Sequence, residues 1–78
     1  MNTDLLKNNP YINLQDNEGN TALMLAAQGY DSEIITFLLA SGANPNVKNN
    51  MGYTALIYAA QNRRLDNVQI LLSHGADT

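Results

Sequence analysis

The phrase TALMLAAQ, from Thr21 to Gln28, returns as TALIYAAQ, from Thr54 to Gln61, 33 residues later. A chain of 78 residues has room for one folding unit at most, so this unit must be built from copies. Aligned without gaps, residues 16–45 and 49–78 share twelve of thirty positions. The identities include Gly19/Gly52, Thr21/Thr54, Leu23/Leu56, Ala27/Ala60, Leu38/Leu71, Leu39/Leu72 and Gly42/Gly75. They fall at turn and core positions, and the differences fall where solvent or a partner is expected. A partial third copy lies upstream. Shifting by 33 residues carries Leu38-Leu39 to Leu5-Leu6, Gly42 to Asn9, and Asn46-Val47 to Asn13-Leu14. After Gly, Asn best tolerates the left-handed backbone that ends a helix.

Each unit reads as helix, tight turn, helix, extended loop. Thr21 can cap the first helix through its hydroxyl. Ala22, Leu23, Ala26 and Ala27 form a stripe at helical spacing, and its small residues allow close approach. Gly29-Tyr30-Asp31 breaks that helix. Asp31 or Ser32 can cap the second, with Asp31 and Glu33 suited to the positive end of its dipole. Ile34, Ile35, Leu38 and Leu39 give the second helix an apolar face, and Gly42 stops it. The following ANPNVKNNMG carries turn chemistry. One such pair cannot bury both apolar faces alone, whereas stacked copies bury them against each other.

Several function classes are poorly served by this composition. Net charge is −3, and only Lys7, Lys48, Arg63 and Arg64 are basic. That is too little for a phosphate-binding face, so no nucleic-acid partner is expected. Arg63 and Arg64 read as a solvated helix-end pair. There is no Cys and a single His, which excludes disulfides and thiolate or His-rich metal sites. No apolar run approaches the roughly 18 residues of a membrane helix, so no membrane partner is expected. The first ten residues are too polar for a signal peptide, and a cytoplasmic or otherwise intracellular location is expected. Asn occurs at twelve positions, a usage attributed to compositional bias. No nucleophile elbow, phosphate loop or metal-helix motif appears, and DNEGN lacks the acidic spacing of a calcium loop. No enzyme activity and no cofactor are expected. His74 reads as a surface residue, and Tyr58 as packed between units.

The stretch DNEGNTALMLAAQGYDSEIITFLLASGANPN resembles an ankyrin repeat. Asp16, Gly19, Thr21, Leu23, Ala26, Ala27, Glu33, Leu38, Leu39, Gly42, Ala43, Asn44 and Asn46 stand at positions matching that family's pattern. Gly52, Thr54, Leu56, Ala59, Ala60, Leu71, Leu72, Gly75, Ala76 and Asp77 match in the next copy. The resemblance covers nearly the whole chain. It implies an all-α fold: an ankyrin-repeat solenoid of stacked antiparallel helix pairs with β-hairpin-like loops. The expected organisation is a partial repeat over residues 1–15, a repeat over 16–48, and a repeat over 49–78 that stops at its final loop. Departures occur. The family's T-P-L-H appears as TALM and TALI, so Met24 and Ile57 must replace a hydrogen-bonding His by apolar packing. The family's Gly between the helices is Tyr30 in one copy and Arg63 in the other. Gly29 and Asn62 are expected to supply the needed flexibility one residue early.

The resemblance implies a non-catalytic protein–protein interaction module that uses loop tips and the concave side of the inner helices. By position, the candidate partner-binding residues are Asn17, Glu18, Asn20, Gln28 and Gly29 in one unit. In the next they are Asn50, Met51, Tyr53, Gln61 and Asn62, with Lys48 at the junction. A standard interface takes about 800 Å² from each partner, most of one face of so small a chain. The alternatives are structural or spacer repeats, or a targeting segment of a larger multidomain protein. Val68, Ile70, Leu71 and Leu72 show no switch to polar residues, so the last helix pair is expected to be uncapped. Either it belongs to a longer array or another chain covers it, head-to-tail self-association being the specific version.

Overall fold

The computed structural model describes residues 11–77. Among these residues there are four helices: α1 (Ala22–Ala27), α2 (Ser32–Ala40), α3 (Ala55–Gln61) and α4 (Leu65–Ser73). Helices α1 and α2 form one hairpin, and α3 and α4 form the next. The inner helices α1 and α3 pack side by side, as do the outer helices α2 and α4. Among the described residues there is no strand, and the hairpin-like loops are hydrogen-bonded turns. The helix expected near the start of the chain and the stop expected at Asn9 lie outside the described residues.

Local chemistry explains most of the helix boundaries. Thr21 Oγ1 accepts from Met24 N at 3.3 Å, and Thr54 Oγ1 accepts from Ile57 N at 3.4 Å. Asp31, rather than Ser32, caps α2, its Oδ1 accepting from Glu33 N at 3.0 Å. Arg64 occupies the equivalent place before α4 and offers no side-chain cap. Helix α2 closes with Gly42 at φ 100°, Ala43 N reaching back to Leu38 O and Gly42 N to Leu39 O. Helix α4 closes the same way around Gly75, with Ala76 N donating to Leu71 O. A left-handed residue lets the chain satisfy carbonyls that a helix end leaves open.

The two inner helices end differently, and here the expectation needs correction. Neither Gly29 nor Asn62 takes a left-handed conformation; that role falls to Arg63, at φ 57°. Arg64 N then donates to Ala59 O at 2.8 Å and Arg63 N to Ala60 O at 3.1 Å, the same closure as in the outer helices. Asn62 instead stays in the helix cap, its Nδ2 donating to Tyr58 O. In the first copy Tyr30 is not left-handed, and α1 ends with Gly29 N donating to Ala26 O.

The core runs along the seam between the hairpins. Leu23, Met24, Ala27, Ile35 and Leu39 come from the first, and Ala55, Ala59 and Leu71 from the second. Each large side chain removed from water there contributes about 1.5–3 kcal/mol. Met24 supplies the expected apolar packing; Ile57, its counterpart, is 37% exposed. The uncapped face also needs correction. Leu71 is fully buried against the first hairpin, and Val68 and Ile70 are half-buried. Only Leu72 of the four is exposed, at 42%, and Ile57 joins it.

Asparagine is structural rather than incidental. Asn13 Oδ1 accepts from Asn44 N at 2.7 Å, and its 33-residue counterpart Asn46 accepts from Asp77 N at 2.8 Å. The same side-chain-to-backbone bond thus recurs 33 residues apart. Asn67, buried at the seam, donates from Nδ2 to Ala27 O at 3.1 Å and Gly29 O at 3.0 Å. The carbonyls that α1 leaves open are thus satisfied by the next hairpin.

Candidate surface for partner binding

Two turn tips stand side by side. In the first, Asp16 Oδ1 accepts from Glu18 N and Asn20 N, both at 2.9 Å. In the second, Asn49 Oδ1 accepts from Met51 N and Tyr53 N, again at 2.9 Å. Each tip is also closed by backbone bonds, Asp16 N to Asn20 O and Asn49 N to Tyr53 O. An Asx side chain that holds two amides fixes the turn without help from the core.

The tips are tied to each other. Asn50 N donates to Glu18 O at 3.0 Å, and Asn50 Nδ2 to Asn17 O at 3.1 Å. Gln15 Nε2 donates to Lys48 O and to Gly19 O. Gly19 is packed so closely that a Cβ would lie 2.8 Å from Asn50 N and 3.0 Å from Asn49 Cα. Asn49 differs from its counterpart Asp16 in having an amide to donate. Its Nδ2 reaches Asn20 Oδ1 at 2.9 Å and the Tyr58 hydroxyl at 2.7 Å. Tyr53 packs edge-on against Tyr58, centroids 5.4 Å apart.

This geometry sorts the sequence candidates. Asn17, Glu18, Lys48, Met51, Gln61 and Asn62 are exposed. Met51 is 64% exposed, although its backbone is pinned by Asn49. Asn50 is exposed, but its side chain is engaged in joining the tips. Asn20 and Tyr53 are half-buried in the Asn49–Tyr58 cluster. Gln28 and Gly29 are half-buried, and their carbonyls accept from Arg64 Nε and Asn67 Nδ2. Tyr58 is half-buried, consistent with its expected packing role. His74 is exposed, its Nδ1 2.9 Å from Ile70 O.

Two features escaped the sequence reading. Leu25, 56% exposed, lies one turn before Gln28 on α1. The available signal was its position off the Leu23/Ala26/Ala27 stripe. Arg64 is not a free solvated charge. Its Nε bonds Gln28 O at 3.1 Å, its Nη1 bonds Asn62 O at 3.0 Å, and its guanidinium sits 3.6 Å from the Tyr30 ring centroid. Among the described residues no cluster of metal-ligating side chains occurs, and no helix is long and apolar enough to cross a membrane.

Helix hairpins joined tip to tip and seam to seam at a 33-residue period define a stacked-repeat protein. A family model for ankyrin repeats (3 copies) matches residues 3–78, and the chain belongs to that family. Ankyrin repeats are in general protein–protein interaction modules and generally non-enzymatic. A comparison with curated proteins found no match.

Proposed function

We propose that the chain binds a protein partner through its two turn tips and the adjoining face of α1 and α3. The carrying observation is the Glu18–Met51 pair of tips. Their backbones are fixed by hydrogen bonds to Asp16, Asn49 and Asn50, while both side chains remain exposed. Rigid backbone with free side chains lowers the entropic cost of association, and Met adapts its shape to an apolar partner. Leu25, Gln28, Gln61 and Asn62 extend the surface along the inner helices. The test compares proteins retained by the immobilised chain with those retained by a Glu18→Lys/Met51→Ala variant of unchanged circular dichroism. A specific partner lost with the variant supports the reading; an unchanged retained set refutes it.

A second reading rests on a different observation. A groove of about 340 Å³ lies beside Leu56 and Ile57 on the outer side of the second hairpin, rimmed by Lys48, Gly52 and Asp77. The equivalent side of the first hairpin, with Leu23 and Met24, is covered by the second. Head-to-tail stacking of a second copy would cover it. Sedimentation over about a hundredfold concentration range is the check. Association weakened by Ile57→Glu supports stacking; a monomer throughout excludes it.

A further inference from the structure

We propose a second docking site at the opposite, interhelix-turn end of the hairpins, which takes an acidic peptide segment carrying an apolar side chain. A shallow depression of about 220 Å³ is shared there by both turns, with Tyr30, Arg63, Arg64 and Leu65 on its walls. Tyr30 is 86% exposed and Leu65 73% exposed, so the depression has two large uncovered apolar walls. It also holds both arginines of the chain, against the single carboxylate of Asp66 on its lining.

The two guanidiniums are prepared differently. Arg64 is held over the Tyr30 ring by bonds from Nε and Nη1, which leaves Nη2 open. An arginine stacked on an aromatic face and anchored on one edge presents the other edge with little entropy left to lose. Arg63 holds a left-handed backbone where glycine would be free of strain, and among the described residues its side chain has no partner. A bulky residue kept in that conformation is the kind of local cost that accompanies a binding role. A carboxylate set between the two guanidiniums gains charge-assisted hydrogen bonds. An adjoining aromatic or branched side chain then covers Tyr30 and Leu65. The attraction is local to the depression: the chain's net charge is −3, and Asp31 and Glu33 stand at the start of α2 outside the lining.

The probe is the blocked peptide acetyl-Asp-Glu-Phe-Glu-Asp-amide, titrated into the ¹⁵N-labelled full chain. Its neutral counterpart, acetyl-Asn-Gln-Phe-Gln-Asn-amide, is titrated in parallel. The acidic peptide is expected to shift the amides of Gly29, Tyr30, Arg63 and Leu65 saturably, and the neutral one to leave them in place. Arg63→Gln is expected to weaken binding about fivefold, the upper range for one exposed ion pair. NaCl at about 0.5 M weakens it similarly by screening. Arg63→Gly keeps the turn and must lose affinity as well, while its melting temperature rises. Equal shifts from the neutral peptide, shifts centred on Lys48, or full affinity in both Arg63 variants would overturn the proposal. An absence of saturable shifts would do so too.

Discussion

The two hairpins share their motifs yet bury opposite sides. Ala27 is buried and Ala60 exposed; Ala22 is exposed and Ala55 buried. Leu39 is buried where Leu72 is exposed, and Leu71 is buried where Leu38 is half-buried. The first hairpin covers its side toward the second, and the second covers its side toward the first. Burial in a stack is set by neighbours, so equal residues at equal positions carry unequal energies.

Paired substitutions exploit that inequality. Gly19→Ala must push into the Asn49–Asn50 backbone as well as hold a positive φ. It is expected to cost about 3 kcal/mol, combining overpacking with left-handed strain. Gly52→Ala has open space around it and should cost only about 1 kcal/mol, from strain alone. Urea unfolding of both variants gives the difference, and equal costs would mean the tips do not stack in solution. Leu23→Ala should cost about 3 kcal/mol and Leu56→Ala about 1 kcal/mol, read the same way. If Leu56→Ala matched Leu23→Ala, the outer side of the second hairpin would be covered in solution.

Asn67→Ala strips two carbonyls of their donor and is expected to cost about 2 kcal/mol. Ile34→Ala at the equivalent position should cost under about 1 kcal/mol, since Ile34 is exposed. Their denaturation midpoints decide whether the seam depends on that amide. The smallest effect has the opposite sign. Arg63→Gly should stabilise the protein by about 1 kcal/mol, because glycine meets no left-handed penalty. Tyr30→Gly at the same repeat position should give no gain, as Tyr30 is not left-handed. Calorimetry of the two variants measures the contrast.

What the sequence made legible follows the 33-residue period. The hairpins, the Thr21 and Thr54 caps, the Gly42 and Gly75 stops and the Asn13/Asn46 correspondence all repeat, and repetition is visible without coordinates. The seam does not repeat. Asn67 stands where the first copy has Ile34, and Arg64 where it has Asp31, so neither stood out as a motif. Their bonds span 36 to 40 residues, joining unlike positions of neighbouring units. The left-handed Arg63 was equally hidden, because Asn62 beside it is the better intrinsic choice for that backbone. Of the candidate surface, the exposed tips were legible from position. That Asn50 and Asn20 are engaged in joining the tips was not, since it depends on what lies alongside.

The bonds from Asn67 to Ala27 and Gly29 also have a consequence during synthesis. The first inner helix leaves the ribosome before its hydrogen-bond donor does. Gly29 and Asn67 are 38 residues apart, so at usual elongation rates roughly two to eight seconds separate them. During that interval the Ala27 and Gly29 carbonyls have only water, and the nascent first hairpin frays at that end. Once Asn67 emerges, the hairpin's end and the seam form together.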